Sequence, residues 1–200
     1  MPPVSRVGSV VWVDNVVAGH GIIMGSAATG SPYISDCHFD AAAQLLEQIH
    51  GPLRSPATGE SGRLIAFDQN EFASGDAYSI SLAATGYAYV PSACDTMRCR
   101  VHIAFHGCLQ NAAAVGMAFV RDAGYNRWAP SNALIVLYPQ TVARYGVGGW
   151  PASCVLNPNA CWDWWRYTGP TYHARDGAQA MLERFAGHRR TARPPIARHG

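Results

Sequence analysis

Apolar and polar positions along the 200 residues switch repeatedly between a period of two and a period near 3.6. Residues 9–17 (SVVWVDNVV) are rich in β-branched side chains and read as a strand. That strand runs into Ala18-Gly19-His20-Gly21, and residues 24–33 are small, Gly-rich and turn-like. Phe39, Ala42, Ala43, Leu46 and Ile49 then recur on one helical face. Ser35 or Asp36 serves as the cap of that helix and Gly51-Pro52 as its stop.

A polar loop at residues 54–62 leads to two short strands, 63–67 and 86–90, read as an antiparallel pair at a sheet edge. Residues 100–110 (RVHIAFHGCLQ) begin as a strand with Val101, Ile103 and Phe105 alternating. The segment then breaks at His106-Gly107-Cys108 into a helical pattern. Residues 112–120 and 125–129 read as helix interrupted at Gly124, and LIVLY (134–138) as a strand buried on both faces. Residues 144–172 are an irregular loop dense in Trp, Gly, Pro and Asn, too long to be idle. A last helix over 175–187 aligns Ala178, Met181, Leu182 and Phe185. Strands alternating with helices imply an α/β domain with a mainly parallel sheet and flanking helices. The domain is expected over residues 1–188, with 189–200, carrying Arg189, Arg190, Arg193 and Arg198, as a disordered tail.

Composition narrows the class. Apolar residues make up 48% and charged residues 14%, which fits one compact globular domain. The net charge of +2 is too small to point to nucleic acid, and no apolar run is long enough to span a membrane, so a soluble chain is expected. All 15 basic residues are arginine and there are six cysteines, a balance that leans towards an oxidising compartment. No signal peptide is visible after Met1-Pro2-Pro3. Cys94 and Cys99 have the spacing of a small closed loop, and Cys108 with Cys161 would join two distant turns. Zinc is the rival use of cysteine, weakened by the lack of any CxxC pair.

Several groups are candidates for chemistry. His20, between glycines after a strand, stands where an α/β enzyme presents an acid–base group, although a lone histidine there reads first as a surface residue. Backbone N–H groups of the His106-Gly107-Cys108 turn lie between a strand and a helix, a place suited to a developing oxyanion. A plain turn is the simpler reading of that segment. His102, His106 and Cys108 make a metal site conceivable, against the more usual role of such histidines as hydrogen-bonded core groups. Trp162, Trp164, Trp165 and Tyr167, with Trp150, form either an apolar platform or a small core under a loop. No nucleophile is evident: G-x-S-x-G is absent, and Gly59-Glu60-Ser61-Gly62 lacks the last glycine and the strand–helix context, so Ser61 is a decoy.

Taken together, SPYISDC (31–37), FDAAAQLLEQIHG (39–51), TGYAYVPSAC (85–94), CRVHIAFHGCLQ (99–110), AGYNRW (123–128), LYPQ (137–140) and NPNACWDWW (157–165) resemble the poly(3-hydroxybutyrate) depolymerase family. The resemblance is to its circularly permuted, single-domain α/β-hydrolase type and runs from about residue 20 to 187. It implies a carboxylic-ester hydrolase acting on polyhydroxyalkanoate or short-chain esters, extracellular or periplasmic in an intact parent, with no cofactor or metal. By the same resemblance His20 is the triad histidine and Cys108 supplies an oxyanion-hole amide. Cys108 pairs with Cys161, Cys94 with Cys99, and Trp162 and Trp164 contact substrate. The family's serine elbow and triad aspartate have no counterpart in this sequence. The reading is therefore an incomplete α/β-hydrolase fold, a fragment inactive alone. The alternative is a non-catalytic polyester- or carbohydrate-binding remnant that uses the Trp-rich loop. Cys37 and Cys154 have no assigned partner and either pair with each other or stay free. Oligomeric state is not encoded in any of these features.

Overall fold

The computed structural model describes Val11 and residues 13–24, 34–59, 61–73, 75–147 and 154–180. Its centre is a four-stranded sheet. The strands are β3 (Gly62–Asp68), β4 (Thr85–Pro91), β5 (Arg100–Ile103) and β6 (Leu134–Tyr138), in the order β3-β4-β6-β5. β3 and β4 form the expected antiparallel pair at one edge, with Ile65 opposite Ala88. β4 is antiparallel to β6 as well, and only β5–β6 is parallel. The sheet is thus mixed, not mainly parallel. The α/β layering holds, but the chain returns from β3 to β4 through two short 3₁₀ turns instead of a crossover helix.

LIVLY behaves as expected of a strand covered on both faces. Leu134, Val136 and Tyr138 enter a core with Ala42, Leu46, Phe119, Val120 and Ala129, while Leu137 packs on the other side with Ala88 and Val90. Each such aliphatic side chain contributes roughly 1.5–3 kcal/mol by leaving water. The helices covering the first face are α1 (Ala41–His50), α3 (Ala118–Asp122) and α4 (Tyr125–Trp128), with the single turn α2 (Ala112–Val115) packed on α3. The expected 112–120 helix is split because Gly116 takes φ 60°. Gly124 makes the second break, as the sequence indicates, with φ 89°. In α1, Ala42 and Leu46 are buried, whereas Ile49 faces solvent. The cap is Asp40, whose side chain accepts the Ala43 amide at 3.0 Å. Ser35 and Asp36, the expected caps, lie instead in β2 (Ile34–Asp36), which pairs in parallel with β1 (Ile22–Met24).

Three further expectations are corrected. Of the 9–17 segment, the described residues are irregular and, apart from the half-buried Val16, exposed, with Val13 at 44% and Val17 at 98% exposure. No strand among the described residues lies beside them to accept their backbone groups. The 144–172 stretch is not wholly irregular. It contains an antiparallel ribbon of β7 (Arg144–Val147) and β8 (Cys154–Asn157), followed by turns. Residues 175–180, expected as helix, are turns. The rest of that helix, the 188/189 boundary with its tail, and Trp150 lie outside the described residues.

Candidate active site

The site begins where β5 leaves the sheet. Ala104 donates to Leu137 O at 2.8 Å, the last sheet bond, and the chain then turns through Phe105, His106, Gly107 and Cys108. His106 is buried and places both ring nitrogens. Nδ1 donates to Gly107 O at 2.7 Å, and Nε2 accepts the Thr141 amide at 3.2 Å. That pattern requires a neutral imidazole, consistent with burial holding its pKa below the usual histidine value. A Cβ on Gly107 would lie 2.8 Å from Gln110 Oε1, the atom that accepts the Gly107 amide at 2.7 Å, so a larger residue would displace that side chain. Gln110 N returns to Gly107 O, and Leu109 N donates to Asn159 O. Among the described residues nothing accepts the Cys108 amide, and Cys108 itself is exposed. Within the described residues the turn therefore ends in an N–H without an acceptor, at the carboxyl end of a sheet strand.

A second segment locks it. Cys108 and Cys161 form a disulfide with Cα atoms 4.3 Å apart. Asn157, fully buried, accepts the Cys161 amide at 2.9 Å and donates to Cys161 O at 2.9 Å. Thr141 Oγ1 donates to Ala160 O. The Trp162 indole N–H donates to His106 O at 3.0 Å, and its ring meets Phe105 edge-on with centroids 4.8 Å apart. Beyond it, the Asp163 carboxylate gathers the amides of Trp165, Tyr167 and Thr168 and the Thr168 hydroxyl. Gln179 holds this turn from behind, accepting the Asp163 amide and donating to Ile80 O and Tyr167 Oη. Burial pushes the Tyr167 phenol up to about 12, so it stays a neutral donor to Cys161 O.

The two tryptophans assigned together separate here. Trp162 is half-buried and walls the turn, whereas Trp164 is 70% exposed and meets Trp165 edge-on with centroids 5.2 Å apart. His20 is exposed and precedes β1, whose Ile22 packs on the main core. The contacts that join Cys108, Cys161 and Trp162 do not include His20. Among the described residues no serine side chain hydrogen-bonds a histidine, and Ser61 lies at the start of β3, away from any strand-to-helix turn.

The metal reading of His102, His106 and Cys108 fails. The Cys108 thiol is oxidised in the disulfide, and both nitrogens of His106 are committed. His102 contacts His50 and Tyr125, and no contact joins it to His106 or Cys108 among the described residues. Cys94–Cys99 is also a disulfide, whereas Cys37 is a free thiol, which rules out a Cys37–Cys154 bond. The polar residues that organise the site, Asn157, Asp163, Thr141 and Gln179, were not singled out from sequence. The available signal was local: Asn and Asp a few residues from the positions whose amides they accept, in turn-rich segments.

A mixed sheet with helices on its face, and a turn at the end of β5 locked by a disulfide, define an α/β-hydrolase-like fold. Comparison with known proteins carries this further, to poly(3-hydroxybutyrate) depolymerases, which the chain resembles over most of its length. It is 37% identical over 202 residues to a poly(3-hydroxybutyrate) depolymerase of Delftia acidovorans, covering 94% of this chain and 38% of the relative. It is 39% identical over 153 residues to a polyhydroxybutyrate depolymerase of Talaromyces funiculosus, covering 74% of this chain and 44% of the relative. The solved PHB depolymerase of Penicillium funiculosum superposes with a TM-score of 0.71 at 34% identity, over 84% of this chain and 55% of that one. A PHB depolymerase variant complexed with an R3HB trimer gives 0.72 over the same shares. The chain thus spans about half or less of each relative. No protein-family model matches it.

Proposed function

We propose that these residues form the oxyanion and substrate-crevice portion of a serine-type polyester depolymerase, with hydroxyalkanoate esters as substrate. The observation that carries this reading is the Cys108 amide, without an acceptor among the described residues at the end of β5 and held by a disulfide, a buried histidine and an indole hydrogen bond. A fixed donor of this kind stabilises the tetrahedral oxyanion because it needs no reorganisation as charge develops. His20 is the proton shuttle in this reading, and the attacking serine with its aspartate belongs to a part of the fold these residues do not span. Trp162 lines the crevice wall and Trp164 presents its exposed face to the polyester chain. The two disulfides fit an extracellular or periplasmic location. The decisive test is a version extended by the unspanned part of the Talaromyces funiculosus relative, assayed on p-nitrophenyl butyrate. Hydrolysis should appear and fall by roughly 10⁴-fold or more with His20→Ala. Undiminished turnover in that variant removes His20 from the mechanism.

The exposure of Trp164 and Trp165 supports a second reading, a polyester-binding piece without catalysis. Its signature is adsorption of the chain to poly(3-hydroxybutyrate) granules, lost in Trp164→Ala, with no ester cleavage in the extended version.

A further inference from the structure

The turn after β5 contains three consecutive peptide groups, and the bonds made at their ends single one of them out. In the His106–Gly107 peptide both ends are taken. Its carbonyl accepts the Trp162 indole N–H at 3.0 Å, and its amide donates to Gln110 Oε1 at 2.7 Å. In the Cys108–Leu109 peptide the amide donates to Asn159 O at 2.8 Å. The Gly107–Cys108 peptide between them is bonded, among the described residues, from one end only. Its carbonyl accepts twice, from His106 Nδ1 at 2.7 Å and from the Gln110 amide at 3.2 Å, while its own amide, the Cys108 N–H, has no acceptor there.

The proton on His106 is placed by main-chain groups that have no choice of role. The Thr141 amide can only donate, so Nε2 accepts it at 3.2 Å, and Gly107 O can only accept, so Nδ1 carries the hydrogen. Thr141 Oγ1 also lies 3.2 Å from Nε2, but its hydrogen goes to Ala160 O. The ring is 2% exposed and is held between Phe119 and Trp162, with centroids 6.1 and 5.5 Å away. A donor bonded to a peptide oxygen draws charge to that oxygen through the amide resonance, which makes the N–H of the same unit a stronger donor. Two such bonds also fix the peptide plane, so the N–H direction is set before any charge develops near it.

We propose that His106 is a positioning residue for the oxyanion donor: its Nδ1–H orients and polarises the Gly107–Cys108 peptide from the carbonyl side, so that the Cys108 N–H meets the developing negative charge already aimed. The catalytic consequence rests on the hydrolase reading above. The polarised peptide does not. Nε2 has a different task, tying the turn to the segment after β6, and substitution separates the two. His106→Asn puts an amide N–H near the place of Nδ1 and gives up the Thr141 bond, whereas His106→Gln puts an oxygen near the place of Nε2 and gives up the bond to Gly107 O.

The first test uses the full chain and nitrogen-15 NMR. The wild-type His106 should show the tautomer with hydrogen on Nδ1, a measurement that needs no variant to fold. The Cys108 amide nitrogen should move upfield in His106→Gln and stay near its wild-type position in His106→Asn, with the Cys108–Cys161 disulfide intact by mass. The second test uses the extended version on p-nitrophenyl butyrate, where kcat of His106→Gln should fall about tenfold below that of His106→Asn with KM unchanged. Hydrogen on Nε2 in the wild type, equal Cys108 shifts in the two variants, or equal kcat values each overturns the proposal. So does the reverse order, with His106→Asn the impaired variant, which is what an anchor acting only through Thr141 gives. The expected tautomer and shifts in an extended protein that cleaves no ester uphold the polarised peptide and overturn the hydrolase reading.

Discussion

His102 is the residue whose environment is most at odds with its chemistry. It is 8% exposed on β5, stacked on Tyr125 with centroids 5.1 Å apart, and its Nδ1 lies 3.4 Å from His50 Nε2. Burial first, and the neighbouring His50 second, hold its pKa down at about 4. His50 is lowered as well, by burial and by Arg100. The unfolded chain takes up the His102 proton near pH 6.5 and the folded chain only near pH 4, so the unfolded state binds more protons between those values. Stability is therefore full above about pH 6.5 and lost as pH falls towards 4, by on the order of 3 kcal/mol for His102. Urea midpoints at pH 7 and pH 4 measure the loss, and His102→Gln should flatten most of it. His106, also buried but bonded at both nitrogens, is a separate matter: it fixes the turn that carries Cys108.

Among the elements, the end of β8 at Asn157 with the turn that follows it and the turn after β5 are far apart in sequence. They are joined covalently by Cys108–Cys161, at a sequence separation of 53. Closing a loop of that length removes unfolded-state entropy worth about 4 kcal/mol in the chain-entropy account. Replacing both cysteines by serine should lower stability by about 2–5 kcal/mol, read as a fall in thermal midpoint. Asn157→Ala orphans the buried Cys161 amide and should cost about 1–3 kcal/mol with the disulfide intact, read from the urea midpoint. The α1 cap acts similarly at its own end: Asp40 accepts the Ala43 amide, pairs with Arg127 and accepts the Trp128 indole N–H, tying α1 to α4.

For the molecule as a whole, the chain spans under half of each curated relative it matches, and among the described residues no serine side chain hydrogen-bonds a histidine. Loss of a triad serine costs on the order of 10⁶ in kcat, leaving at most about 10³ over water from binding and oxyanion donors. The chain by itself should therefore turn over p-nitrophenyl butyrate no faster than that remainder allows, a value set by steady-state assay against buffer alone. Turnover at enzymatic rates would show that an unrecognised nucleophile lies within these 200 residues.

Much of the fold was legible because it follows from local pattern. LIVLY, the β3–β4 pair and the α1 face with Ala42 and Leu46 are each decided by apolar periodicity, which does not depend on distant residues. The two disulfide pairings and the depolymerase likeness were legible through short motifs in order. Other features depended on partners that local sequence does not name. The 9–17 stretch has strand composition but, among the described residues, no neighbour to bond, so what is described of it is irregular. The direction of β4 against β6 is a matter of how the chain returns, not of which residues it contains, and that return made the sheet mixed. Sequence alone thus determined which segments are apolar on which side. Tertiary structure decided which backbone groups find partners, and among the described residues it left the Cys108 amide without one, because a hydrogen bond needs its acceptor brought to within about 3 Å by the rest of the chain.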